Sequence, residues 1–350
     1  MKSALITGIT GQDGAYLAKF LLKKGYEVYG TYRRLSTPNF WRLQYMRLFD
    51  NINLIPVDLI DAPSLVEAIK ASKPDEVYNL AAQSFVGASF EQPIGAGEVT
   101  GLGVTRMLDA VRQLVPDAKF YQASTSEMFG NGSPTNQNET TAFTPCSPYA
   151  AAKLYGYWVT RIYREGYNIF ACNGILFNHE SPLRGLEFVT RKISNAVAKI
   201  KLGIEKEIRL GNIEAKRDWG YAPEFVESMW LMMQHNKPDD YVIATNETHS
   251  VKEFVEAAFD IVGLDWNKYV KVDNRFIRPL DVNVLCGEYS KAKKVLNWEP
   301  KTKFKDIVKI LVEADLDRWQ RWQKGERFPW DAPNYPNENK IMSRKYVIDR

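Results

Sequence analysis

The sequence predicts an α/β protein: a Rossmann-type, doubly wound parallel sheet with a smaller, interleaved α/β C-terminal lobe. Three observations carry this prediction. Apolar runs of strand length alternate with helix-period segments through the first half; the first run passes directly into a glycine-spaced loop; and past Asn178 the alternation breaks, then resumes at "YVIATN". Strand, helix and strand in repeat call for right-handed crossovers that cover both faces of a parallel sheet. At 350 residues the chain is longer than the roughly 100–200 residues of a common single domain, which leaves room for a large unit and a lobe.

Taken in order, "SALITG" is the first strand, and "AYLAKFLLKKG", apolar at helical spacing and closed by Gly25, is the first helix. "YEVYGTY", rich in aromatic and β-branched residues, is the second strand, followed by "INLIPVD", the helix "PSLVEAIKAS" and the strand "EVYNLAA". The helix "GLGVTRMLDAVRQLV" leads to the strand "KFYQAS", and "NIFACNGILF" is the sixth strand. Beyond Asn178, "FVTRKISNAVAKIKLG" has the period of a long helix, "KEIRLGNIEAKRDWGY" does not, and "APEFVESMWLMMQHN" is helical again. The strand "YVIATN" and the helix "SVKEFVEAAFDIVG" return the chain to the sheet and take it out once more, so the two units interleave. The last stretch, 325–350, places Pro329, Pro333 and Pro336 among Asn and aromatic residues, which disfavours a helix; it is either a frayed tail or a strap over another surface, and Trp330, Tyr335 and Tyr346 favour the strap.

Lys and Arg number 46 against 42 Asp and Glu, a net charge of +4 with no long like-charge block. That balance gives no footing for nucleic acid or a membrane surface, yet would not repel an anionic small molecule. Cys146, Cys172 and Cys286 show no C-x-x-C spacing and the histidines do not cluster, so buried free thiols and no metal site are expected. No segment of signal length opens the chain, and no run approaches the roughly 20 apolar residues of a membrane span. A cytoplasmic setting is the expectation.

Residues 7–14, "TGITGQDG", set Gly8, Gly11 and Gly14 between the first strand and the first helix, with Thr10, Gln12 and Asp13 between them. Glycines here allow a tight turn and let backbone N–H groups and a helix N-terminus approach a pyrophosphate. The second strand ends in Tyr32, Arg33 and Arg34, where an NAD site would offer an acid to the ribose 2′-hydroxyl. Arginine there pairs with a 2′-phosphate instead, so NADP is the expected cofactor. Asp58 and Leu59, at the end of the third strand, are candidates for the adenine amino group and ring. The small residues of "NLAAQS", with Leu80, Ala81, Ala82 and Ser84, would let a nicotinamide ribose lie against the fourth strand's end.

Tyr149 and Lys153 in "YAAAK" fall one helical turn apart on one face. An ammonium there would lower the phenol from its usual value of about 10 and make it a general base. Tyr289 and Lys293 repeat the spacing in "YSKAKKVLNW", but no strand end bearing a hydroxyl precedes them. The first pair has that partner in "ASTSEMFG", with Thr125, Ser126 and, two residues past the threonine, the carboxylate of Glu127. An acid at a strand end is by itself a solvated loop residue or a helix cap, and His179 by itself reads as a satisfied core histidine.

The segments "TGITGQDG", "LAAQSFVGAS", "ASTSEMFG", "SPYAAAKLYGYW", "GILFNHESPLRG", "FVTRKI", "LGNIEAKRDWG" and "RPLDVNVLCGE" together resemble the GDP-mannose 4,6-dehydratase family of extended short-chain dehydrogenases/reductases, over roughly residues 1–320. The resemblance implies a redox-neutral elimination of water from a GDP-sugar. Tyr149 would deprotonate the 4-hydroxyl held by Thr125 as hydride leaves carbon 4, and Glu127 would take the carbon-5 proton. Water would leave from carbon 6 and the hydride return there. It also implies cofactor contacts at Gly8 to Asp13, Arg33, His179 and Arg184, and a nucleotide-sugar pocket at Ser84, Glu127, Asn178, Val189, Lys192, Gly211, Arg217 and Arg278. The expected division is 1–180 with about 218–247 for the NADP-binding domain, about 181–217 with 248–325 for the nucleotide-sugar lobe, and 326–350 for the tail.

Related members use the "RR" loop to reach a neighbouring subunit's cofactor, which implies a homotetramer built from dimers. Here "RR" is followed by "LSTPNFWRLQYM" where many members carry a serine pair, and the tail beyond Trp322 is longer than in several of them. Three alternatives stay open on the residues alone: dehydration of another GDP-sugar such as a GDP-manno-heptose, a 4-epimerase or 4-keto reductase that needs no acid at 127, and a silent dinucleotide-sensing protein.

Overall fold

A computed structural model describes residues 1–37, 39–132, 136–276 and 279–334. The strands are β1 (Ser3–Thr7), β2 (Glu27–Tyr32), β3 (Asn53–Pro56), β4 (Glu76–Asn79), β5 (Lys119–Thr125), β6 (Ala171–Leu176), β7 (Asn178–Glu180), β8 (Ile208–Leu210), β9 (Lys216–Arg217), β10 (Trp219–Tyr221), β11 (Asp240–Ile243), β12 (His249–Ser250) and β13 (Val270–Val272). Helices are α1 (Gln12–Lys23), α2 (Trp41–Tyr45), α3 (Ala62–Ser72), α4 (Val86–Glu91), α5 (Pro93–Ala96), α6 (Gly103–Leu114), α7 (Pro148–Tyr167), α8 (Val189–Lys201), α9 (Ala222–Gln234), α10 (Val251–Ile261), α11 (Ser290–Leu296) and α12 (Phe304–Gln323). No described helix is long and apolar enough to cross a membrane.

Seven strands form one sheet in the order β11-β6-β5-β4-β1-β2-β3, every pair parallel. This is the doubly wound arrangement expected from the alternating pattern. The register Thr7↔Asn79↔Gln122 and Thr125↔Leu176 sets the C-terminal ends of β1, β4, β5 and β6 side by side. The order of connection reverses between β1 and β4, and such a switch point opens the crevice in which ligands of open α/β sheets bind.

Beyond β6 the chain runs straight into β7, which pairs in parallel with β10, Trp219 opposite Asn178. Between those two strands it makes α8 and β8; after β10 it makes α9 and returns to the sheet as β11. A separate hydrophobic cluster joins Ile193, Val197, Phe254, Phe259, Ile307 and Leu311 from α8, α10 and α12. Residues 282–298 pack toward the sheet side, with Val282 and Leu285 against Phe177 and Val242. All three cysteines are free thiols: Cys172 and Cys286 are buried, whereas Cys146 is half-buried.

Residues 326–334 form a strap as far as the described chain goes. Trp330 is buried, with its ring 4.9 Å from that of Trp319 and 5.7 Å from that of Phe328. Tyr335 and Tyr346, the other aromatic residues of that expectation, lie outside the described residues. Under the strap sits a dry ionic cluster. The Arg191 Nε donates to both Asp315 oxygens at 2.9 and 2.8 Å, Ser194 Oγ donates to Asp315 Oδ2 at 2.6 Å, and Arg318 Nη1 reaches Asp315 Oδ1 at 3.3 Å. Both guanidiniums and the carboxylate are fully buried.

Removing one partner from such a group strands the other charges without water. Asp315→Ala should therefore lower the unfolding free energy by about 3–5 kcal/mol, seen as a lower urea midpoint at an unchanged slope. A change within the range of an ordinary surface substitution, about 0.5 kcal/mol, would contradict it.

Candidate active site

Gly8 follows β1 with φ of +71°, and a Cβ there would stand 3.0 Å from both the Cα and the N of Ala81; at Gly14 it would stand 2.5 Å from the Gly8 carbonyl. The loop thus folds onto itself and onto the end of β4 only because these positions lack side chains. Gly11 is the N-cap of α1 and offers no capping side chain, so the first-turn N–H groups are left for a ligand, where the helix dipole favours an anion. Thr7 Oγ1 accepts from the N–H groups of Leu80 and Ala81 at 3.0 Å each, which ties the two strand ends together.

A cavity of about 750 Å³ opens over these ends. Its wall includes Gly8, Gly11, Gln12, Asp13, Gly14, Leu80, Ala82, Ser84, Thr125, Ser126, Glu127, Tyr149, Lys153, Asn178, His179, Arg184, Val189, Lys192, Gly211 and Arg217. The structure thus brings twenty of the sequence-derived residues to one chamber. Thr10, Arg33, Asp58, Leu59 and Ala81 stand outside its wall, and Arg278 lies outside the described residues. Arg33 and Arg34 are exposed and make no hydrogen bond or ion pair among the described residues. Tyr289 and Lys293 fall outside the chamber, with Lys293 paired to Glu299 at the surface.

Pro148 occupies the first turn of α7 and Ser147 caps it, its side chain accepting from the Ala150 N–H, so Tyr149 and Lys153 enter the cavity from a well-started helix. Lys153 is buried, and its Nζ donates to the Ala123 carbonyl of β5 at 2.6 Å. Burial pushes this lysine down to about 8 against the charge of Asp13, which acts the other way. The Tyr149 phenol is moved upward: burial dominates, the Thr125 hydroxyl pulls it back, and the Glu127 charge adds to the rise. The lysine does not therefore bring the phenol toward neutrality in this arrangement, contrary to the expectation from spacing alone. Its ammonium is engaged by Ala123 and its Nζ stands 5.9 Å from the tyrosine ring centroid.

Glu127 is the second residue of a single 3₁₀ turn, Ser126–Phe129, and its N–H donates to Thr125 Oγ1 at 3.3 Å. The residue is 7 % exposed, lines the cavity, and its carboxylate makes no hydrogen bond among the described residues. A helix cap or a solvated loop acid would be engaged or exposed; this one is neither.

In the same wall His179 Nε2 lies 2.8 Å from Asp13 Oδ2, Nδ1 lies 2.7 Å from the Phe177 carbonyl, and the ring stacks on Phe225. Burial lowers the imidazole, but the charge of Asp13 and its hydrogen bond outweigh that and raise it; Asp13, raised by burial, is lowered overall by His179. Gln12 Nε2 donates to the His179 carbonyl at 3.1 Å, so the glycine loop is latched to 179–181. His179 is thus both a satisfied core histidine and part of the wall. The Arg184 guanidinium stands 3.3 Å from Glu180 and covers the Phe188 ring at 3.7 Å.

At the lobe end, Lys192 and Arg217 bring two buried cations to the wall, Lys192 over the Phe276 ring at 3.9 Å and Arg217 on Asp281 at 3.0 Å. Asn178 Oδ1 is buried with no partner among the described residues. Sequence reasoning missed Arg42, Glu187, Phe188, Phe276 and Asp281, all in the wall. Of these only Asp281 and Phe188 lay inside quoted motifs; Arg42 sits in the loop that departs from the family pattern.

A parallel seven-stranded sheet with an uncapped glycine loop, and a tyrosine and lysine one helical turn apart facing a strand-end threonine, define an extended short-chain dehydrogenase/reductase. Solved structures agree: the chain superposes on dTDP-glucose 4,6-dehydratase from Bacillus anthracis, in complex with NAD, with a TM-score of 0.80 at 19% identity, covering 93% of this chain and 100% of that one. On UDP-glucose 4-epimerase from Thermus thermophilus, likewise with NAD, the TM-score is 0.79 at 25% identity over 89% and 98% of the two chains. The chain belongs to the GDP-mannose 4,6-dehydratase family, whose model matches residues 5–311. It is 52% identical to GDP-mannose 4,6 dehydratase 2 of Arabidopsis thaliana, covering 91% of this chain and 88% of that protein. It is 50% identical to the GDP-mannose 4,6 dehydratase of Homo sapiens, with 90% and 91% covered, and 45% identical to that of Vibrio cholerae, with 91% and 95% covered.

Proposed function

We propose that the chain converts GDP-mannose to GDP-4-keto-6-deoxymannose and water with NADP held in the cavity. The observation that carries this is the unengaged, buried carboxylate of Glu127, two residues past Thr125 on the wall that also bears Tyr149. A 4-epimerase or 4-keto reductase has no use for a base there, whereas elimination needs one at carbon 5. The uncapped α1 N-terminus and the glycine cradle fit the dinucleotide's pyrophosphate. Lys192, Arg217 and Asn178 suit the diphosphate and sugar of the substrate. When bound there, NADP would supply the acceptor for the hydride of carbon 4 and the donor of the hydride to carbon 6.

The chain's own residues handle the protons. Thr125 holds the 4-hydroxyl by hydrogen bond and Tyr149 takes its proton, while the Lys153 ammonium, one turn on in the same helix, keeps positive charge near the phenol. The resulting 4-ketone acidifies carbon 5; Glu127 takes that proton and hands it to the 6-hydroxyl, whose bond to carbon 6 breaks so that it departs as water and leaves a carbon 5–carbon 6 double bond. A proton returned to carbon 5 completes a reaction that consumes no reductant.

The division into an NADP-binding unit, 1–180 with about 218–247, and a nucleotide-sugar lobe, about 181–217 with 248–325, is part of this proposal; the separate hydrophobic cluster of α8, α10 and α12 supports it. So is a cytoplasmic homotetramer built from dimers. Three free cysteines suit a reducing compartment. Tyr155, Trp158 and Ile162 leave an apolar stripe exposed on α7, and Arg33 and Arg34 are exposed on the loop that would reach a neighbour.

The test incubates the purified protein with NADP and a panel of GDP-, UDP-, dTDP- and CDP-sugars and reads their masses. GDP-mannose should lose one water with no added reductant. An unchanged GDP-mannose beside a dehydrated GDP-manno-heptose would transfer the assignment to the heptose.

A further inference from the structure

Arg42 reaches the cavity from α2, a helix that supplies no other residue of its wall. Its placement is rigid. Trp41 and Leu43 on either side of it are buried in the cluster that includes α1, and Phe40 packs edge-on against Tyr32 at 4.9 Å and Phe49 at 5.2 Å. Two of its nitrogens are already used: Nε donates to the Leu183 carbonyl at 2.7 Å and Nη1 to the Thr10 carbonyl at 3.0 Å. The guanidinium therefore bridges the glycine loop and the 181–185 loop, its plane fixed by both.

Nη2 makes no hydrogen bond among the described residues, and Arg42 forms no ion pair among them. Carbonyl oxygens satisfy donors without cancelling charge. A largely enclosed guanidinium lacking a carboxylate partner is costly unless an anion completes it. Arginine's planar fork matches phosphate oxygens, and the helix end beside it is itself an anion site. The sequence had placed the phosphate-reading arginine at Arg33, which stands outside the wall.

We propose that Arg42 grips a phosphate group of the dinucleotide, the glycine loop and the 181–185 loop serving as its two tethers. The assignment rests on the reading of this cavity as the NADP site. Burial holds the Arg42 guanidinium below its usual value, with Asp331 and Glu187 acting in the opposite direction, in keeping with a cation that gains from an anionic ligand.

The test titrates nucleotide-stripped, full-length protein with NADPH and with NADH, followed by ligand fluorescence at several salt concentrations. Arg42→Gln keeps a donor for a carbonyl but removes the charge; Arg42→Lys keeps the charge but loses the fork. Arg42→Gln should weaken NADPH binding about tenfold or more and flatten its salt dependence, while Arg42→Lys keeps the wild-type salt dependence. Loss for NADPH alone identifies the 2′-phosphate and equal loss for both dinucleotides identifies the pyrophosphate; either supports the assignment. Both variants weakened alike with salt dependence unchanged would show a tether only and overturn it, as would wild-type binding by Arg42→Gln. Wild-type protein that bound neither dinucleotide would sink the cofactor reading and this assignment together. Should Arg42→Gln fail to fold, the wild type still decides: phenylglyoxal labelling of Arg42, mapped by mass, should be suppressed by NADPH, and equal labelling with and without it overturns the proposal.

Discussion

Glu127→Gln should stop the reaction between oxidation and elimination. Glutamine keeps the shape that fills this buried turn, and the backbone N–H to Thr125 is untouched, so the fold around residue 127 has no reason to change. What is lost is the ability to accept a proton in a chamber where the carboxylate is buried and makes no hydrogen bond among the described residues. Release of the 4-keto-6-deoxy product should fall by about 10²–10⁴-fold, the usual worth of a placed general base. Oxidation at carbon 4 should persist, seen as reduced nicotinamide absorbance that rises and stays. In heavy water the wild type should deliver one deuterium to carbon 5 of its product, and the variant none to its sugar. Tyr149→Phe should instead suppress both the absorbance change and the product, because it removes the base for the first step. Near wild-type turnover by Glu127→Gln would remove Glu127 from the chemistry and reopen the epimerase and reductase readings.

These two residues also show what a sequence can reveal. Every strand of the large sheet was legible, because a buried parallel strand needs a short apolar run and a crossover helix a 3.6-residue period, and nothing in this chain blurs the two. The mouth of the cavity was legible for the same reason: strand ends are where the runs stop, so Thr125, Leu80 and Gly8 could be placed from the pattern. Direction was harder. Arg33 and Arg42 both follow β2, and only the packing of Phe40, Trp41 and Leu43 decides which one is carried back to the glycine loop. Arg191 is more than a hundred residues from Asp315 and Arg318, and all three look like surface charges on amphipathic helices, yet they meet in a fully buried core. The phenol of Tyr149 makes the same point about energies: spacing puts a lysine near it, while burial and the Glu127 charge decide where its proton sits.

Lys153→Met should make the protein more stable at neutral pH while nearly abolishing turnover. Burial pushes Lys153 from 10.5 down to about 8. Below pH 8 the folded protein therefore holds an ammonium that the unfolded chain solvates better, at a cost of about 3 kcal/mol for a shift of that size. Methionine fills similar space without charge and strands only the Ala123 carbonyl, which loses its 2.6 Å donor at a cost of about 1 kcal/mol. The net gain at pH 7 is about 2 kcal/mol.

Its pH dependence is what separates this from a packing effect. Between pH 8 and 10.5 the unfolded chain still binds the proton that the folded one has released. The wild type accordingly gains stability as pH rises through that window, and the advantage of the methionine shrinks and then reverses. Urea unfolding of nucleotide-free protein at pH 7 and pH 10 measures both ends; a variant less stable at pH 7, or an advantage equal at the two, contradicts the account. Activity should fall by about 10²–10⁴-fold at either pH. A gain in stability paired with that loss would mean the ammonium is retained against the fold's own preference, for the proton that Tyr149 must give up.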